Sequence, residues 1–248
     1  MTKKTILTLG FSTRSRDTED VKFDSARSLL EFDIAVIDWD AYIEQLENAS
    51  HQNGYLETNL WVEAGQTFRR RTASLDEFLN HGRLVVALSK KLPPALPYLS
   101  QGSISHARLN GMVPTALLNA EESHGTRIGL AEKLPPPLRK FAESVKDQLN
   151  YFAVLRPADG TPVMTIEGTQ KPVALWCPHE SGGGTLFCPF PAGEGDLPFI
   201  AALFTLSEEL CAGAEVELAP LPQWHSDYLL PQETAIAADL LKMDKEVQ

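Results

Sequence analysis

Phe32-Asp33-Ile34-Ala35-Val36-Ile37-Asp38-Trp39-Asp40 decides the fold. Its centre is continuously apolar rather than alternating, as a strand covered on both faces of a parallel sheet requires, so residues 32–38 are predicted to form a buried strand. Outward from it, residues 83–89 carry Leu-Val-Val-Ala-Leu at their centre and predict a second such strand. Residues 6–11 predict a shorter one that ends at Gly10-Phe11-Ser12-Thr13 and opens into a charged loop through Asp20.

The intervening stretches read as helices. Residues 25–30 predict a short one, and residues 42–49 place Tyr42, Ile43 and Leu46 on one side. Ser74 is the expected N-cap of a helix over 75–79, with Glu77 completing a capping box. His81-Gly82 supplies its stop. No structure is assigned to residues 50–65. Strand, helix, strand, helix, strand is the order of an α/β layer with right-handed crossovers.

Beyond Ser89 the texture changes. Residues 90–137 are rich in proline and glycine, and 101–137 is expected to be a long irregular connection. An amphipathic helix is predicted over 138–150, with Leu138, Phe141, Val145 and Leu149 at helical spacing. Short runs at 151–155, 162–166, 172–176 and 185–188, separated by turn residues, predict antiparallel hairpins. Helices are expected over 198–210 and 232–247, the last started by Pro231. The predicted fold is a single α/β domain over 1–248: a Rossmann- or flavodoxin-like, mostly parallel sheet with helices on both faces. Residues 1–100 form its parallel layer, 138–220 complete the sheet, and 221–248 form a C-terminal helical segment.

The 248 residues carry 22 Lys and Arg against 33 Asp and Glu, a net charge of −11. That balance argues against broad binding to nucleic acid or anionic membrane. No stretch approaches ~18 uninterrupted apolar residues, so no transmembrane helix is expected. The start lacks the apolar region and cleavage site of a signal peptide. Cys177, Cys188 and Cys211 are odd in number and lack a CxxC spacing, which predicts reduced thiols packed as small hydrophobes in a cytoplasmic protein.

The run 32–40, the later Leu75-Asp76-Glu77-Phe78-Leu79-Asn80-His81-Gly82-Arg83-Leu84-Val85-Val86, then Lys171-Pro172-Val173-Ala174-Leu175-Trp176 and Gly182-Gly183-Gly184-Thr185-Leu186-Phe187-Cys188-Pro189 form an ordered set. The set resembles the flavodoxin-like layer of the class I glutamine-amidotransferase-like superfamily, in particular its ThuA-like, non-amidotransferase branch. The resemblance covers residues 5–90 and 150–190 and implies a fold. Amidotransferases carry a nucleophilic cysteine on a sharp turn after a central strand. Here the turn reads Ser89-Lys90-Lys91-Leu92-Pro93, so the resemblance argues against glutaminase activity.

In open parallel sheets, ligands bind outside the carboxyl ends of the strands. The first end offers Ser12, Thr13, Arg14 and Arg16; the second Asp38 and Asp40; the third Ser89, Lys90 and Lys91. Two basic clusters with hydroxyls and a carboxylate suit a small anionic, phosphate-bearing ligand, the carboxylate holding a sugar hydroxyl. Neither GxGxxG nor GxxxxGK[ST] occurs, so no dinucleotide fingerprint or Walker loop is present, and no cofactor is assigned.

For catalysis, Asp38 or Asp40 would serve as general base, or Cys177 and His179, two apart on an extended segment, as nucleophile and base. No metal set is assigned, because His106 and His124 fit no zinc spacing. Arg69-Arg70-Arg71 reads as a phosphate contact or a solvated, salt-bridged face. Trp224, Tyr228, Leu229 and Leu230 read as a docking patch or as pins for the last helix. Residues 242–248 lack a capping signal, so that helix either frays or continues into a homodimer contact. Three functions follow: a non-catalytic ligand-sensing or partner-docking module, alone or in a signalling or defence assembly; a hydrolase of glycosidic or ester bonds; or a structural subunit of a complex.

Overall fold

The computed structural model describes residues 5–50, 54–193 and 196–211. The expected helix at 232–247 and the residues Trp224, Tyr228, Leu229 and Leu230 lie outside them. Eight strands form the main sheet in the order β2 (Thr18–Val21), β1 (Ile6–Leu9), β3 (Ile34–Ile37), β4 (Leu84–Leu88), β12 (Gly184–Cys188), β11 (Pro172–Pro178), β10 (Thr161–Ile166) and β8 (Ile128–Leu130). β2 through β12 pair in parallel, and β12 through β8 antiparallel. The protein is therefore a mixed α/β structure with a large mixed sheet.

Both faces of the sheet are covered, which is why its central strands read as unbroken apolar runs. Leu7, Leu9, Ala35, Ile37, Val85 and Ala87 share one core with residues of α1 (Trp39–Ser50) and α2 (Thr58–Asn80). Ile6, Ile34, Val36, Leu84 and Val86 share the other with α4 (Pro136–Val145) and α5 (Asp196–Cys211).

The antiparallel meander expected in the second half is present as β10–β11–β12, with one correction. β12 also pairs in parallel with β4, from Gly184 opposite Leu84 to Cys188 opposite Leu88. All five residues of β12 are buried, so it needed a partner on each edge. The run predicted at 151–155 is β9 (Leu149–Val154), which leaves the main sheet to pair with β7 (Glu121–Gly125) and β13 (Phe190–Pro191).

Three local expectations are corrected. Ser74 is not an N-cap: it lies inside α2, where its hydroxyl donates to the Arg70 carbonyl at 2.8 Å. The buried stripe Ala64, Phe68, Arg71, Leu75 and Phe78 carries the helix through that position, so tertiary burial overrides the capping pattern. The expected stop holds, with His81 as C-cap and Gly82 at φ 68°. The helix expected at 25–30 is a short 3₁₀ turn, Leu29–Glu31. Residues 101–137 are largely ordered: the β5 (Ala95–Ser100) and β6 (Ser103–Arg108) hairpin turns at Gln101-Gly102, both left-handed, and is followed by α3 (Thr115–Leu118), β7 and β8. Two successive positive-φ residues match the tight hairpin turn that strand twist favours.

Arg71 holds the long loop between β2 and β3. It is 1% exposed, and its guanidinium donates to the carbonyls of Phe23 (2.7 Å), Ser25 (2.6 Å), Arg27 (3.2 Å) and Lys22 (3.3 Å). Arg71 is thus a staple and not the phosphate contact or solvated charge that its triplet suggested. Among the described residues no helix is long and apolar enough to cross a membrane.

Removing that staple strands buried carbonyls. Arg71→Met is expected to lower the unfolding free energy by about 3 kcal/mol in urea titrations. A loss below about 1 kcal/mol would show that the loop holds itself in place.

Candidate site at the strand ends

The connections from β1 and β3 leave over opposite faces of the sheet. After β1, residues 10–17 double back across the face covered by α5: Phe11 packs into that core, the Arg14 amide donates to Asp196 Oδ2 at 2.8 Å, and the Ile6 amide donates to the Asp17 carbonyl at 3.3 Å. After β3, α1 and α2 cover the other face. In open α/β sheets, divergence between neighbouring parallel strands is where ligand crevices occur at the carboxyl ends.

The junction between the two strands is close-fitted. The Asp38 amide donates to the Leu9 carbonyl at 2.8 Å. Gly10 follows at φ 70°, and a Cβ there would stand 2.6 Å from the Asp38 carbonyl oxygen. Only glycine fits both the backbone angle and the space.

Asp38 caps α1, its Oδ1 accepting the amides of Asp40 at 3.1 Å and Ala41 at 3.2 Å. Burial outweighs those bonds and pushes its carboxyl up to about 6. Lys90, just past β4, pairs with Asp40 and with Glu44 at 2.9 Å. Burial works against the Lys90 charge, yet the hydrogen bonds it donates to Asp40 and Glu44 hold the ammonium protonated above its ordinary range. Lys90 therefore joins the end of β4 to α1, and its charge is answered within the protein.

Ser89 is 1% exposed; its amide donates to the Cys188 carbonyl at 2.8 Å, while its hydroxyl is buried with no partner among the described residues. Asp196 Oδ1 at the start of α5 is likewise buried and unpartnered, although Oδ2 holds Arg14. Ser12, Arg14 and Lys91 are exposed. Thr13 bonds Thr18 through their hydroxyls at 2.7 Å, fixing the returning loop. Arg16 is exposed beside Asp17, whose carbonyl meets the first residue of β1, so the loop carries Arg16 toward the amino ends. The strand ends thus bring Asp38, Asp40 and Lys90 together, with Ser89 and Lys91 flanking Lys90 in the chain, while the loop after β1 carries Arg16 away.

Sequence reading missed Asp196, Phe152 and Phe190. Phe152 pairs with Lys90 through an isolated bridge, is 38% exposed, and meets Phe190 edge-on at 5.4 Å. These residues come from β9, β13 and α5, which only tertiary packing brings to the end of β4. No local pattern announces them.

Cys177 and His179 do not pair. The Cys177 thiol donates to the Asp159 carbonyl at 3.1 Å, and burial pushes its pKa up to about 12, opposite to an activated thiolate. His179 Nδ1 instead meets Ser181 Oγ at 2.8 Å in the turn that leads into β12. His106 and His124 are exposed on β6 and β7. A small apolar gap lies beneath α2 against Val85 and Ala87. Asp76 and Thr185 are its polar members, and it is a packing gap over the sheet face rather than part of the crevice.

The raised Asp38 value fixes a sign. Native protein keeps the Asp38 proton between pH 3.8 and about 6, where the unfolded chain has lost it, so stability from this group falls as pH rises through that window. Asp38→Asn keeps an acceptor at the cap and removes the charge. The variant is expected to be more stable than the parent at pH 7.5, by a margin that shrinks by about 2 kcal/mol at pH 4.5. A margin independent of pH in denaturant titrations would contradict the buried-carboxyl assignment.

Comparison of the chain with protein-family models, with curated proteins and with solved structures gave no match.

Proposed function

We propose that this protein is a non-catalytic ligand-sensing module that seats a small, hydroxyl-rich, phosphate-bearing ligand at the carboxyl ends of β1, β3 and β4. On this reading the parallel layer serves as a Rossmann- or flavodoxin-like binding platform. The observation that carries it is that two of the five buried side-chain atoms without a hydrogen-bond partner among the described residues, Ser89 Oγ and Asp196 Oδ1, stand just past β4 and at the start of α5. Buried polar atoms are nearly always satisfied, and a ligand donating hydrogen bonds satisfies both. The carboxylates of Asp38, Asp40 and Asp196 suit sugar hydroxyls. Ser12, Arg14 and Lys91 supply an exposed rim for an anionic group, with attraction toward its phosphate.

Binding is favoured over chemistry by how the reactive groups are engaged. Lys90 is neutralised by two acids, and the Cys177 thiol is held protonated. Ser89 occupies the place of a strand-end nucleophile, yet β4 runs on toward the β5–β6 hairpin, whereas a nucleophile elbow turns sharply from strand into helix. One observation favours a second reading, a hydrolase of glycosidic or ester bonds: the Asp38 carboxyl at about 6 lies where a general base is effective near neutral pH.

Thermal unfolding in the presence of ribose 5-phosphate, glucose 6-phosphate and nucleoside monophosphates tests the proposal. At ~100 times Kd a ligand adds roughly 2.7 kcal/mol of stability, a shift of several degrees for a protein of this size. Ser89→Ala and Asp196→Asn are each expected to weaken that ligand by about tenfold, with no product formed. No shift with any of these compounds would defeat the binding reading. Turnover lost in Asp38→Asn would establish the second one.

A further inference from the structure

We infer that the ligand carries a planar ring and belongs to the nucleotide class, with Phe152 as the platform for its base. This rests on the binding reading of the crevice and extends it to a part of the molecule that a sugar phosphate lacks. Four large apolar side chains are exposed among the described residues: Val62, Ile104, Phe152 and Leu197. Val62 lies on α2 and Ile104 on the β5–β6 hairpin. The other two stand at the strand ends, Leu197 directly after Asp196 and Phe152 in a parallel bridge with Lys90.

The bridge sets the geometry. Residues paired across strands project to the same side, so the Phe152 ring shares a side with the Lys90 stem, which reaches Asp40 and Glu44. Phe190 meets Phe152 at an interplanar angle of 90°, fixing the ring without stacking on it, and leaves Phe152 38% exposed. The β13–β9 pairing, Phe190 opposite Asn150 and Pro191 opposite Leu149, holds both rings on backbone hydrogen bonds rather than on a free loop.

Around Lys90 three chemistries therefore follow one another: a fixed, part-exposed aromatic ring bridged to it; the Asp40 and Glu44 carboxylates its ammonium reaches; and the exposed cation of Lys91 next in the chain. Base, ribose and phosphate present the same three in that order. An acyl chain has no use for the carboxylates, and a free sugar phosphate leaves the ring in water.

Calorimetric titration of AMP, UMP and ribose 5-phosphate into the full chain tests this. Both nucleotides are expected to bind at least about tenfold more tightly than ribose 5-phosphate, the usual scale of one base stacked on an aromatic side chain. Phe152→Ala should bring nucleotide affinity down to within about twofold of ribose 5-phosphate, whose own affinity stays unchanged. Phe152→Leu keeps apolar bulk and guards against loss of folding; it should lose the preference too, while Phe152→Tyr restores it. Equal affinities in the parent, or a preference that survives in Phe152→Ala and Phe152→Leu, overturn the inference and leave the crevice standing. Failure of all three compounds to bind overturns both.

Discussion

The Asp38 amide bonded to the Leu9 carbonyl, with Gly10 turned against the Asp38 carbonyl, is the junction on which the strand ends depend. It locks β1 beside β3 at the point where their connections part. One connection returns over the α5 face and the other crosses the α1–α2 face, the arrangement at which open α/β sheets bind ligands. A side chain at position 10 would push the Asp38 carbonyl away, and with it the cap of α1 and the Asp40–Lys90 pair. A single glycine thereby links the register of the sheet to the arrangement of charges at its edge.

Those charges are largely answered within the protein. Lys90 is answered by Asp40 and Glu44, an arrangement that ties α1 to β4. Deeper in, Ser89 and Asp196 keep hydrogen-bonding capacity that the described protein does not use. In a dry environment an unmade hydrogen bond costs roughly 1–3 kcal/mol, which makes such a pair a standing demand for a partner. Asp38 carries the same tension: its cap bonds favour the carboxylate and burial opposes it, with burial the larger effect.

Local physics was legible in the sequence; its consequences at a distance were not. The unbroken apolar runs around Ile34–Ile37 and Leu84–Leu88 report burial on both faces, and His81-Gly82 reports the end of α2 through backbone chirality alone. Ser74 misled because its capping pattern is real but weaker than the buried stripe from Ala64 to Phe78. Arg71 looked like a surface charge because nothing local shows that the carbonyls of residues 22–27 converge on it. Arg16 was grouped with the crevice because the parallel pairing of β1 and β2 across eight residues, which turns the loop back on itself, is unusually tight for such a connection. The position of Asp38, Asp40, Ser89 and Lys90 just past strands was readable because strand ends are local features, while Phe152, Phe190 and Asp196 arrive from elements far along the chain.

Amide hydrogen exchange read by mass spectrometry, with and without saturating AMP or ribose 5-phosphate, whichever binds more tightly, tests the central claim that the strand ends form the binding site. The account predicts slowed exchange at residues 10–14, 38–41 and 89–91, with the hairpin at 95–108 unchanged. Protection confined to that hairpin or to α2, or no change anywhere, would contradict it.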